Sequence, residues 1–161
     1  MQTQRKLTTA GIDPASFRVL IVDDEPMLRS VIHDFLEMLG YSNHTMACDG
    51  LEALELIRSA PVDLMLSDIR MPRMELQEVL HVVRDEFPDL TVIGTSGFSD
   101  FESALTIFSD GAHDFLGKPL DLSALESSLR WILERRLLIE RVSAMFMLEM
   151  PATSAQRETI I

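Results

Sequence analysis

The chain has 161 residues, 47% of them hydrophobic, and a formal charge of −12, enough for one well-packed domain with chain to spare and too little for two of full size. The acidic balance argues against a surface that neutralises nucleic-acid phosphates or lies on an anionic membrane. The single cysteine, Cys48, excludes an internal disulfide framework and fits a reducing compartment. No run is long and apolar enough to span a bilayer, and the polar opening MQTQRKLTTAGIDPAS lacks a signal-peptide core. The expectation is a soluble cytoplasmic protein.

Residues 17–22 are a short apolar run rich in β-branched side chains, the mark of a strand covered on both faces. Asp23-Asp24-Glu25-Pro26 follows, with Pro26 suited to the first turn of a helix. Met27, Leu28, Val31, Ile32, Phe35, Leu36 and Leu39 then make one apolar stripe that stops at Gly40. Residues 44–48 are a weak strand candidate, and Asp49-Gly50 opens a helix to about Ser59 with Leu51, Ala53, Leu54 and Ile57 on one side. Residues 62–66 give a third strand, and 76–86 a helix carrying Val79, Leu80, Val82 and Val83. Residues 90–93 give a fourth strand, 101–108 a helix and 112–116 a fifth strand. Lys118-Pro119 leads to a last helix beginning near Asp121, a good N-cap. Five strand–helix units with short connections imply an α/β fold: a doubly wound, five-stranded parallel sheet with helices on both faces.

In such folds ligands gather at the carboxyl ends of the strands, where strand order reverses. The first strand delivers Asp23 and Asp24 to that edge, the third Asp68, the fourth Thr95-Ser96-Gly97 and the fifth Lys118-Pro119. Crowded carboxylates repel and take up protons unless a cation is present, and hard carboxylate oxygens suit Mg²⁺. A carboxylate such as Asp68 can attack phosphorus to form an acyl phosphate, with metal and lysine neutralising the transferred group. Ser96 can donate to a phosphoryl oxygen, and Lys118 supplies a compact positive charge. No Ser/His/Asp set, glycine-rich phosphate loop or zinc spacing accompanies them. His33, His44, His81 and His113 lie on different segments without ligand spacing and receive no role; Met27, Met38, Met71 and Met74 are expected in packing.

Together, Val22-Asp23-Asp24-Glu25, Asp68-Ile-Arg-Met-Pro-Arg-Met74, Gly-Thr-Ser96-Gly97 and Gly111-Ala-His-Asp-Phe-Leu-Gly-Lys118-Pro119 resemble the receiver domain of bacterial two-component response regulators. The resemblance implies a (βα)5 flavodoxin-like fold and Asp68 as the residue phosphorylated by a histidine kinase or phosphotransfer protein. It implies Mg²⁺ held by Asp24, Asp68 and the backbone carbonyl of Arg70, with Asp23 acting nearby through water. It further implies that Ser96 and Lys118 sense the phosphoryl group, that Phe115 swings inward when Ser96 moves, that the face of the fourth helix, fifth strand and fifth helix carries the output, and that the Lys118-Pro119 bond is cis. The chain departs from the family where Met-Pro-x-Met is usually followed by Asp-Gly: here Glu75-Leu76 stand instead, which reshapes the loop. Gly94 lies in a central strand, a weak choice unless another group packs close. Gly97 stands where the family commonly has alanine and is expected to widen access; by the same resemblance Arg70 and Phe98 occupy positions whose side chains overhang the site and are expected to set phosphate lifetime.

From Asp121, helix-compatible sequence runs to Pro151, about 45 Å at 1.5 Å per residue and roughly twice what packing on a small sheet needs. Residues 137–150 are expected to meet a partner helix, a second copy in a coiled coil or another protein's helix; the competing readings are that they fold back on their own domain or begin a linker to an output domain. The expected organisation is a flexible segment over 1–16, a receiver domain over 17–136, a helical extension over 137–150 and a flexible tail over 151–161. Arg130, Arg135, Arg136 and Arg141 alternate with Glu126, Glu134 and Glu140, a solvated mixed face unsuited to nucleic acid. Two other readings compete with the phosphorylated, non-enzymatic regulator. One is a receiver-like module that binds without phosphorylation. The other, ranked lower, is an aspartyl-phosphate phosphatase of the haloacid dehalogenase type, which needs a second aspartate where Arg70 stands.

Overall fold

The computed structural model describes residues 12–97 and 101–149. Five parallel strands, β1 (Val19–Val22), β2 (His44–Ala47), β3 (Leu64–Asp68), β4 (Thr91–Ser96) and β5 (Asp114–Gly117), form one sheet in the order β2-β1-β3-β4-β5. Five helices alternate with them: α1 (Pro26–Leu39), α2 (Gly50–Ser59), α3 (Leu76–Glu86), α4 (Phe101–Ser109) and α5 (Leu122–Glu149). The chain steps outward from β1 to β2, then returns past β1 to β3, so strand order reverses between β1 and β3. This is the doubly wound parallel sheet that the alternating pattern implied, in the (βα)5 flavodoxin-like form that the resemblance implied, with the last helix extended.

Every residue of β1 and β3 is buried, as their unbroken apolar runs require, whereas β2 at the edge exposes Thr45 and Met46. That exposure explains why β2 is the faintest strand in the sequence. One core joins Leu20, Val22, Met65 and Val92 to α2, α3 and Ile107 of α4. The other joins Val19, Ile21, Leu64, Leu66 and Ile93 to Ile32 and Leu36 of α1 and to Leu125, Leu129, Ile132 and Leu133 of α5. Leu51, Met27 and Met38, expected in packing, face solvent instead. Chain order reaches back beyond Phe17: Pro14–Ser16 form a 3-10 turn, and Ile12 packs against the α1–α5 core.

Local signals set the helix ends. Pro26 opens α1, and Gly40 closes it in the left-handed region at φ 92°. Asp49 caps α2 by accepting the Glu52 amide at 3.0 Å, while Glu52 accepts the Cys48 amide at 2.7 Å. Asp121 caps α5 through the Ser123 amide at 3.0 Å. The loop from β3 into α3 takes its left-handed turn at Arg73, φ 66°, whose guanidinium is anchored on Asp49 at 2.6 Å. Leu76, in place of the family's usual glycine, is fully buried. It fits because Gly94 leaves room: a Cβ there would stand 2.4 Å from Ile107 Cδ1 and 3.4 Å from Leu76 Cδ2. The close packing that a glycine in a central strand calls for is therefore present.

α5 runs 28 residues, about 42 Å. Only its first half is covered; from Leu138 to the end of the described side chains every residue is exposed.

Candidate functional site

Strand register explains how residues far apart in sequence reach one place. Val22 pairs with Ser67, so Asp23 and Asp68 each follow one step later on adjacent strands. Asp68 pairs with Thr95, and Ser96 with Gly117, which sets Lys118 one step beyond. The Lys118-Pro119 peptide is cis.

Asp23 is fully buried. Its Oδ1 accepts the Glu25 amide at 2.9 Å, and its Oδ2 accepts from Lys118 Nζ at 2.9 Å. The same ammonium lies 3.3 Å from Asp68 Oδ2. Asp24 is exposed, yet a carboxylate oxygen from each of Asp23, Asp24 and Asp68 falls within 4.8 Å of the others. One lysine thus stands against three acids, two of them buried. Burial, together with the charge of Asp23, raises the Asp68 carboxyl from 3.8 to about 6 even though Lys118 and a hydrogen bond from the Arg70 backbone oppose the rise. Burial alone would depress Lys118, but its hydrogen bond to Asp23 and the charge of Asp68 lift it above the ordinary lysine value.

This donor set fits a divalent hard cation: all oxygen, deficient in positive charge, partly open through Asp24. Asp23, Asp24 and Asp68 are the residues that would hold it.

Ser96 is buried at the end of β4, its Oγ 3.4 Å from the Gly97 carbonyl. Strand alternation turns Thr95 to the opposite face, where its hydroxyl is buried without a hydrogen-bond partner. Phe115 is half-buried against the α2–α4 core and pairs in register with Gly94, two residues before Ser96 on the same face. The Arg70 guanidinium reaches Ser103 Oγ at 3.0 Å and Glu75 at 3.4 Å, bridging the β3 loop to α4. Among the described residues, none comes within 4 Å of a Cβ built at Gly97. Phe98 lies outside the described residues. Sequence reasoning assigned nothing to His33 and His44, which the fold brings into ring contact at the other end of the sheet; eleven residues apart on a helix and a strand, they carry no spacing signal.

The sequence model of the response regulator receiver domain matches residues 19–130. The chain belongs to the response regulator receiver family. It is 35% identical over 117 residues to a probable transcriptional regulator, ycf27, of Cyanidium caldarium, covering 73% of this chain and 46% of that protein. Among solved structures, the chemotaxis response regulator CheY4 of Vibrio cholerae superposes with a TM-score of 0.66 at 28% identity, over 72% of this chain and 98% of that one. NtrX of Brucella abortus superposes at 0.74 and 28% identity, over 80% of this receiver chain and 29% of the other. The chain spans about half or less of the length of curated relatives such as ycf27 (46%) and Mycobacterium bovis MprA (52%). Receiver domains are signalling modules of two-component systems, and no described helix of this one is long and apolar enough to cross a membrane.

Proposed function

We propose that this receiver is a phosphorylation-controlled regulator in which Asp68 accepts a phosphoryl group from a histidine kinase or phosphotransfer protein. The observation that carries the reading is the shared ammonium: Lys118 spans Asp23 at 2.9 Å and Asp68 at 3.3 Å, leaving the buried acids short of positive charge. An Asp68 oxygen attacks phosphorus, the bond from phosphorus to the donor's imidazole nitrogen breaks, and the aspartyl phosphate remains. A Mg²⁺ held by Asp23, Asp24, Asp68 and the Arg70 carbonyl would supply charge neutralisation for the transferred group. Lys118 then leaves Asp68 for a phosphoryl oxygen, and the Ser96 hydroxyl donates to another.

Moving a two-state equilibrium from 1:99 to 99:1 takes about 5.5 kcal/mol of differential binding. A charge-assisted hydrogen bond from Ser96, about 1.5–3 kcal/mol, together with the Lys118 ion pair is of that order. Phe115, half-buried beside a residue with no side chain, follows Ser96 and changes the face formed by α4, β5 and α5. Leu138, Val142 and Met145, spaced four and three residues apart and 62%, 42% and 63% exposed, form the seam that meets a second copy of the chain.

The test is the intact mass of wild type and Asp68→Asn after incubation with acetyl phosphate and Mg²⁺, with solution size recorded in parallel. One phosphoryl group on the wild type alone, with a larger particle, is expected. No mass gain from any phosphodonor would overturn the phosphoswitch and leave a module that binds constitutively; mass gain without a change in size would overturn the seam alone.

A further inference from the structure

At the amino edge of the sheet, the end opposite Asp68, His44 opens β2 in register with Val19, the first residue of β1. There it meets His33 and Glu37, one turn apart on α1. His44 Nε2 lies 2.8 Å from Glu37 Oε1. The two imidazole centroids are 4.3 Å apart with their planes at 69°, and one ligand atom from each of the three residues falls within 4.8 Å of the other two. His33 Nδ1 stands 3.1 Å from Asp34 Oδ1. A bond there leaves the lone pair on the other ring nitrogen, the outer-shell arrangement usual for a metal-bound imidazole.

We propose that His33, Glu37 and His44 form a second cation site, for a d-block divalent ion of the zinc class, separate from the carboxylate site around Asp68. Two imidazoles and one carboxylate suit zinc and disfavour Mg²⁺, which demands oxygen donors. Tetrahedral bonds of about 2.0–2.1 Å set donors about 3.3 Å apart, so the Glu37–His44 pair at 2.8 Å needs to open only slightly. A hydrogen bond between Glu37 and His44 accounts for those two side chains but not for the second imidazole held against them. The His44 side chain is 12% exposed, His33 35% and Glu37 46%, which leaves an outward position for water. A bound ion ties the second half of α1 to the edge strand β2.

The experiment is competition of the untagged chain with a chromophoric chelator for Zn²⁺ in saturating Mg²⁺, with thermal melting in parallel. Wild type, Asp68→Asn, His33→Gln and His44→Gln are compared. Wild type and Asp68→Asn should each take one Zn²⁺ and melt higher with it. Each histidine variant should bind at least tenfold more weakly and lose the zinc-dependent rise. Because His33 is partly exposed, His33→Gln keeps the test valid should His44→Gln fail to fold, and melting without zinc identifies that failure. Zinc binding unchanged in the histidine variants, or absent from the wild type, overturns the proposal and leaves a hydrogen-bonded His–Glu pair.

Discussion

Asp63 and Asp68 stand five residues apart at opposite ends of β3, both nearly buried, and their surroundings push them in opposite directions. Burial would raise Asp63, but Arg18 donates to it from its backbone at 3.0 Å and its side chain at 2.7 and 3.0 Å, and Arg136 approaches at 3.2 Å, so its carboxyl is held below the ordinary value. Asp68 shares one lysine with Asp23 and is raised to about 6. One end of the strand satisfies its carboxylate and fastens β1, β3 and α5 together. The other end leaves its carboxylate short of cations, a condition that a metal or a transferred group can relieve.

The two aspartates should therefore respond to loss of charge with opposite signs. Asp63→Asn removes the carboxylate that two guanidinium groups share. Because the Arg18 side chain is 43% exposed and Arg136 36%, the loss should be about 2 kcal/mol rather than the larger value for a fully buried pair. Asp68→Asn removes a carboxylate that folding disfavours, and without Mg²⁺ at neutral pH it should stabilise the protein by roughly 1–3 kcal/mol. Urea unfolding of both variants gives the signs directly; two destabilised variants would refute the contrast.

Acid titration sharpens it. A depressed carboxyl such as Asp63 contributes stability above its unfolded value that disappears as pH falls through its folded value. A raised carboxyl does the reverse: the contribution of Asp68 is full below 3.8 and is lost as pH climbs through about 6. Metal-free wild type should weaken between about pH 4 and 6, and Asp68→Asn should flatten that slope. Saturating Mg²⁺ should restore stability at neutral pH in the wild type and much less in Asp68→Asn. Equal slopes from pH 4 to 6 in wild type and Asp68→Asn would show that Asp68 is not raised.

The upper end of β3 was legible in the sequence because its chemistry is written in residue identity. A carboxylate after an apolar run has to surface at a strand terminus, and parallel topology gathers all such termini on one edge. The lower end was not legible: Asp63 lies just before β3, and nothing in its spacing to Arg18 or Arg136 marks three residues that only folding joins. The same holds for His33 with His44. The exchange of a loop glycine for Leu76 reads as a loop change in sequence, yet its consequence lies in the core, where Gly94 and Ile107 make its space. The faces of exposed helices also escaped, since Leu51 and Met27 match the apolar period yet face solvent. Periodicity records what can be buried; the sheet's neighbours decide what is.

The smallest effect belongs to Arg136, where α5 leaves the domain. Its guanidinium reaches Asp63 at 3.2 Å and Glu140 at 3.7 Å and lies 5.0 Å from the centre of the Phe17 ring. Asp63 keeps Arg18 when Arg136 is lost, and Glu140 is 60% exposed, so neither acid becomes a buried orphan. Arg136→Met gives up the exposed ion pairs and the guanidinium over the Phe17 ring but keeps an unbranched apolar side chain, and should lower stability by only about 0.5–1 kcal/mol. The difference from Asp63→Asn is informative because both changes touch the same contact: removing one of two cations from a satisfied carboxylate is tolerated, whereas removing the carboxylate leaves Arg18 without its acid and Arg136 with Glu140 alone. If Arg136→Met were as damaging as Asp63→Asn, the α5 contact rather than the Arg18 clamp would hold this end of the sheet. A double-mutant cycle over Asp63 and Arg136 would give that coupling, expected below about 1 kcal/mol.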